Sequence, residues 1–345
     1  MALYTIRQPK GNESSLIRDF IENHWKKGHS LAKSKQLLDF QHYSARRDEY
    51  NYIIAKNNKT GEVDALFGFI PTSQYDSNLE VNGDYWGAIW KKRDDIDNEE
   101  IGDIGMDVFT RLFEFENFHS FAAIGISKIA LRIYKAFKCN IGYLHHYYIF
   151  NNEVSSFIIA KNVENKLIAP PDGYIEEEGW RIIGLSENEL EKSDIKPVYR
   201  PYKSITYLKN RYSKHPYYEY HYMGIYKDDE LVSIWVYRII NVNGAAVLRV
   251  VDALGVLNGT LYFQLLQYLK QEGAEYLDFL NYGVSSETFM KMGFRELNFE
   301  GELILPNYYE PFTQCNVKIE IAVKADYGNY VAFKGDSDQD RPNIL

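Results

Sequence analysis

The feature that most constrains the fold is a pattern that occurs twice. Residues 131–140 read LRIYKAFKCN, and residues 285–294 read SSETFMKMGF. Each is a short helical pattern that follows an apolar run of strand type, SFAAIGI at 120–126 and AEYLDFLNYG at 274–283. Each then turns into a further strand. The first carries Tyr134 in mid-helix and the second carries Phe289 at the matching place, 289 − 134 = 155 residues on. A chain of 345 residues at roughly 100–200 residues per domain is expected to hold two units.

The surrounding elements recur in the same order. In the first copy, SSLIRDFIENHWKK (14–27) has helical spacing through Leu16, Ile17, Phe20, Ile21 and Trp25, with Ser14 or Ser15 as cap. LAKSKQLLDFQHY (31–43) reads as a second helix. Two β-rich runs around NNKTG, within 50–71, predict a hairpin. DYWGAIWKK (84–92) is a strand. IGDIGMDVFTRLFEFE (101–116) is a glycine-opened helix with Val108, Leu112 and Phe115 on one side. IGYLHHYYIF (141–150) closes the copy as its final strand. Residues 151–200, rich in charge, Pro and Gly, read as a connector with some structure of its own. The second copy has a helix at 202–216, a hairpin around Asp228 and Asp229, and a strand at 245–254. A glycine-opened helix at 255–273 follows, then the strand and helix of 274–294. The organisation expected is a unit at 1–155, a connector at 156–200 and a second unit at 201–345. The fold class is mixed α/β: tandem units, each a mostly antiparallel twisted sheet flanked by helices.

Composition narrows the function. Net charge is −9, and the one local basic cluster, KKRDD at 91–95, ends in two aspartates. A nucleic-acid partner, which calls for a basic face, is therefore not expected. Two cysteines, Cys139 and Cys315, argue against a disulfide framework and offer no metal spacing. Cys139 is expected to be a small buried residue at a helix-to-strand junction. The opening MALYTIRQPKGNESS lacks the apolar stretch of a secretory signal, and no run approaches the ~20 apolar residues of a membrane helix. The expectation is a soluble, cytoplasmic protein. The 29 Tyr and 19 Phe fit aromatic-rich sheets, and some of the tyrosines fit the walls of a cleft.

The element order, with WGAIWKKRDD leading to IGDIGM and with LRIYKAFKCN, resembles a tandem pair of GNAT (Gcn5-related N-acyltransferase) units over most of 45–150 and 202–325. The resemblance implies a strand that splays from its neighbour and receives the pantetheine arm of coenzyme A, beside Trp90. It implies a glycine turn at a helix start that meets the pyrophosphate, where backbone N–H groups and the helix dipole favour anions. Gly102, Gly105 and Met106 lie in that turn, and Lys91, Lys92 and Arg93 would add charge. The turn departs from the family's Q/R-x-x-G-x-G/A form, and Asp103 is unfavourable beside a pyrophosphate. Tyr134 matches the family's helix tyrosine, whose hydroxyl protonates the departing thiolate. Phe289 has no proton to give, so the second unit lacks that role. Its own turn, DALGVLNGT with Gly255 and Gly259, reads as structural or as acceptor binding.

An acceptor amine must be neutral to attack, and His145 or His146 is the candidate base. At most one of them faces a cleft, since neighbours on a strand point to opposite faces. Backbone N–H near Trp90 would meet the oxyanion. The resemblance is closest to bacterial N-acyltransferases of nucleotide-linked amino sugars, dTDP- or UDP-linked, in surface polysaccharide synthesis. It rests there on the C-terminal GDSDQDRPN (335–343). Asp338, Gln339 and Asp340 can bond sugar hydroxyls or an amine, and Arg341 can fork onto a phosphate. The same residues read equally as a solvated acidic tail. Asp252, Asn281 and Tyr282, near strand ends of the second unit, are further candidate contacts, with Asp278. Two other readings stand beside this one. One is a FemABX-like aminoacyl transferase that uses charged tRNA on a peptidoglycan precursor. The other is a non-catalytic binding protein on degenerate units.

Overall fold

A computed structural model of the chain describes residues 2–96 and 103–345. Two large sheets carry the fold. The first runs Tyr4–Arg7, Tyr52–Asn57, Val63–Pro71, Asp84–Lys92, Ser120–Ile124, Glu320–Ala325, Asn140–Tyr143. The second runs Trp180–Leu185, His221–Lys227, Glu230–Val242, Ala245–Gly255, Tyr276–Tyr282, His145–Phe150, Arg295–Glu296. Each sheet has one parallel pair, Asp84–Lys92 with Ser120–Ile124 and Ala245–Gly255 with Tyr276–Tyr282. The other pairings named here are antiparallel. Among the described residues no helix is long and apolar enough to cross a membrane.

The two helices that open the sequence argument are built alike. Ser127 caps Lys128–Ala136 by accepting from Ala130 N–H, and Ser285 caps Ser286–Lys291 by accepting from Thr288 N–H. Both end on a left-handed residue, Lys138 at φ 59° and Gly293 at φ 97°. Cys139 N–H then bonds the Tyr134 carbonyl, as Phe294 N–H bonds that of Phe289. Cys139 is buried in the apolar cluster beneath this turn.

The strand pairing corrects three expectations. The strand at 145–150 does not close the first unit. It crosses to the second sheet and lies between Tyr276–Tyr282 and Arg295–Glu296. In return, Glu320–Ala325 enters the first sheet between Ser120–Ile124 and Asn140–Tyr143. A boundary at 155 therefore does not separate the sheets; each takes a strand from the other half of the chain. Within the stretch read as a connector, Trp180–Leu185 forms the edge of the second sheet, the place Tyr4–Arg7 holds in the first. An apolar core containing Trp86, Ile124, Tyr212, Val236, Leu280 and Ile321 joins the sheets.

Each parallel pair opens at a bulge. In the first sheet Phe67 faces Trp90 and Phe69 faces Gly87, so Ala88 and Ile89 together oppose Gly68. In the second, Val236 faces Asp252 and Tyr237 faces Val250, which leaves Val251 extra. Pairing with the parallel neighbour stops at Gly87 in the first sheet and at Val250 in the second. The C-terminal chain runs through both openings. Gly335 N–H donates to the Val251 carbonyl at 2.7 Å, and a Cβ built on Gly335 would lie 2.7 Å from that same oxygen. Gly335→Ala is expected to destabilise by about 1–3 kcal/mol, because backbone cannot yield as a flexible side chain can. Urea unfolding of the variant checks this.

Candidate active site

The opening in the first sheet is the starting point. Beyond Gly87 the strand runs on to Lys92, paired among the described residues only on its Val63–Pro71 side. At the apex, Ser337 Oγ donates to the Gly87 carbonyl at 2.6 Å, and Gln339 Nε2 donates to that of Ile124 at 2.9 Å. One segment of chain thus touches both diverging strands. Farther along, the Trp90 ring lies 5.8 Å from Tyr134, which stands on the helix after the other strand. Trp90 Nε1 donates to the Gly105 carbonyl at 2.8 Å and its ring stacks on Phe109 at 4.6 Å. Tyr134 is buried, and burial pushes its hydroxyl pKa well up, so the proton stays in place at neutral pH.

The predicted phosphate turn is only partly in view. Gly102 lies outside the described residues. Gly105 and Met106 fall in the first turn of Ile104–Thr110, with Met106 half-buried against the aromatic cluster. Lys92 passes beside Gly105, and Lys91 pairs with Asp94 at 2.5 Å. Arg93 departs from its expected role. Its guanidinium is engaged by Glu62, Asp64 and Asp95, and those hydrogen bonds raise its pKa further.

The equivalent opening of the second sheet is filled. Ala332–Phe333 pairs antiparallel with Asn281–Tyr282, and Lys334 N–H donates to the Leu280 carbonyl. The glycine turn beyond is covered by residues of the presumed connector. A Cβ on Gly259 would lie 2.9 Å from the Trp180 ring. Tyr262 N–H donates to the Tyr174 hydroxyl and Leu257 N–H to that of Tyr199. The adjoining cleft, about 400 Å³, sets Asp194 and Glu230 against Lys196. N–H groups already bonded, with acids nearby, make a poor pyrophosphate site.

The remaining predicted residues divide by burial. The C-terminal segment is docked rather than solvated: Asp338 and Asp340 are buried, and Gln339 and Arg341 are partly so. Asp340 accepts from the Tyr220 hydroxyl at 2.7 Å, and Asp338 lies 3.3 Å from Arg341 Nε. Asp252 is an anchor rather than a substrate contact. It accepts from Lys203 at 2.6 Å, from the Tyr212 hydroxyl at 2.6 Å and from Ala253 N–H. Asn281 is buried, its Oδ1 bonded to Val284 N–H, and the Tyr282 ring packs over Gly142. The two histidines sit in different surroundings. His146 Nε2 bonds buried Asp278 at 2.9 Å, Arg249 holds the same carboxylate, and burial pulls the imidazole pKa down. His145 bonds Glu296 at 2.6 Å. Both follow from the crossing of their strand into the second sheet.

Lys203, Lys334, Arg238 and Asn307 escaped the sequence reading, since a lone lysine, arginine or asparagine looks like a solvated residue. Lys203 bridges Asp252 at 2.6 Å and Asp336 at 2.7 Å, all three buried. Lys203→Met is expected to cost about 3–5 kcal/mol, because it leaves two buried carboxylates without a cation. Denaturant unfolding measures it.

No family model matches the sequence, and no curated protein sequence does. Solved structures do match. A conserved Enterococcus faecalis protein described as a probable N-acyltransferase aligns over 94% of this chain and 72% of its own, at 8% identity and TM-score 0.53. A GCN5-related N-acetyltransferase of Anabaena variabilis aligns over 92% of this chain and 72% of its own, at 6% identity and TM-score 0.51. The fold is that of the GCN5-related N-acetyltransferases. At such identities the likeness extends to the GNAT fold alone, and the chemistry has to be argued from the residues.

Proposed function

We propose that this GNAT-fold protein moves an acyl group from a coenzyme A thioester to the amino group of a nucleotide-linked amino sugar, dTDP- or UDP-linked. The observation that carries the donor half is the contrast between the two openings. The first has, among the described residues, an unpaired strand edge at Ala88–Lys92 with Trp90 and Tyr134 beyond it. The second is filled by its own chain and capped by Trp180. An unpaired strand edge with aromatic rings beside it and Lys92 at the helix start fits an amide-bearing pantetheine arm ending in phosphates. Coenzyme A would supply the activated acyl group there.

The chain's own groups then have defined tasks. Backbone N–H on the freed strand receives the oxyanion as the amine adds to the thioester carbonyl. The carbon–sulfur bond breaks, and Tyr134 gives its proton to the departing sulfur. The proton leaving the new amide nitrogen goes to water or a base and restores the tyrosine. For the acceptor, a cleft of about 420 Å³ between the two halves is lined by Tyr43, Arg46, Arg47, Gln74, Asp76 and Asn210. It backs onto the C-terminal segment, because the neighbouring Arg211 holds the carbonyls of Gly335 and Ser337. That is room for a nucleotide between the units. A thiol-release assay over acyl-CoA and amino-sugar nucleotide pairs tests the reading. At least one pair should release thiol and form amide in equal amounts. Thiol release indifferent to every amine would overturn it.

A further inference from the structure

Between the C-terminal segment and the second sheet lies a small pocket, about 30 Å³, whose walls include Arg238, Asn307, Lys334, Gln339, Asp340 and Arg341. Its polar groups are incompletely matched. Arg249 is held by Asp278, and Arg341 lies 3.3 Å from Asp338. Arg238 stacks on the Tyr218 ring at 3.6 Å, and its buried Nη1 lies 3.5 Å from Asp340 Oδ1, a loose ion pair without hydrogen-bond geometry. Asn307 is buried with both amide atoms unpartnered there. Lys334 is 2% exposed, and among the described residues no carboxylate reaches it within 4.0 Å; its ammonium lies 5.5 Å from the Tyr308 ring centroid. Burial costs such groups several kcal/mol unless a partner arrives.

Two buried donors without partners among the described residues, Asn307 Nδ2 and Lys334 Nζ, line one space with an arginine only loosely held by Asp340, and together they define a ligand by charge. We propose that this pocket is an oxyanion subsite, in which Arg238, Asn307 and Lys334 take a phosphate or carboxylate group of a small ligand. Its size fits one such group, and the partly exposed Tyr308 and Glu310 are also among its walls. The subsite is defined by its own donors and stands whether or not the first sheet holds coenzyme A. Gln339 joins it to the apex of the first opening, because that residue both lines the pocket and bonds Ile124.

Lys334 gives the proposal a distinctive signature. Burial, with Arg249 nearby, pulls its pKa down to about 7, against the opposing pull of Asp340, Asp278 and Asp338. At pH 8 the free protein therefore holds most of this amine neutral, and an oxyanion beside it restores the charge. The test is calorimetric titration of the full chain at pH 8 with inorganic phosphate and, separately, acetate, in two buffers of different ionisation enthalpy. The expected result is one saturable site with uptake of a proton. The tighter of the two probes identifies the group. Lys334→Met should weaken binding about tenfold or more, the loss of one charge-assisted hydrogen bond, and should abolish the uptake. Lys334→Arg should bind without proton uptake, since arginine is already charged. Lack of saturation by either probe up to about 50 mM, well above a millimolar constant, overturns the proposal. So does equal affinity and equal proton uptake in a folded Lys334→Met or Lys334→Arg protein.

Discussion

A fragment ending at residue 155 is expected not to fold, although it holds every element the sequence places in the first unit. It lacks Glu320–Ala325, which sits inside the first sheet between Ser120–Ile124 and Asn140–Tyr143. Removing an interior strand breaks two ladders at once. It also exposes the surfaces that Ile321 and Val323 cover, each a burial of about 1.5–3 kcal/mol. His145–Phe150 would be left in the fragment without Tyr276–Tyr282, its partner. Such an unpaired apolar strand promotes aggregation. Thermal melting with circular dichroism should show no cooperative transition for 1–155 alone. Co-expression with the complementary fragment 156–345 should restore one. A monodisperse 1–155 fragment with a sharp melt would show that the exchanged strand is dispensable.

The second large effect concerns Tyr134. Replacement by Phe keeps the ring among Trp90, Phe109 and Phe121 and removes only the proton. The turnover rate should fall about 10²–10⁴-fold, the usual worth of a positioned general acid, with coenzyme A affinity nearly unchanged. Phe289 in the second copy makes this substitution naturally. Its ring is buried and stacks on Tyr147 at 4.0 Å, so the position tolerates Phe structurally. An unchanged rate in Tyr134→Phe would remove the tyrosine from the mechanism.

Local elements were legible where the signal was local. The helices, hairpins and strands announce themselves through spacing and apolar runs within a dozen residues, whereas the cap expected at Ser14 or Ser15 is not one: that helix is entered from Glu13 with no side-chain cap. The exchange of 145–150 for 320–325 was not legible, because the alternation of a strand says which face is buried and not which distant strand it meets. Trp180–Leu185 was hidden by the Pro and charges around it, and half of its residues are exposed as befits an edge. At the candidate site, Tyr134 and the C-terminal GDSDQDRPN came to notice through the family resemblance, and the fold places the first beside Trp90 and docks the second between the strands. The surroundings of the histidine pair were not legible, because its strand was assigned to the wrong sheet. Lys334 gave no signal, since only the fold shows that this lysine is buried with no carboxylate of the described residues within 4.0 Å.

The most direct test of the account is a calorimetric titration of the full chain with coenzyme A. The account predicts saturable binding near one site per chain, since beyond the apex the first opening keeps a strand edge unpaired among the described residues, whereas residues 332–335 pair along the second. A folded protein that gives neither heat nor a thermal shift at about millimolar coenzyme A would contradict the central claim.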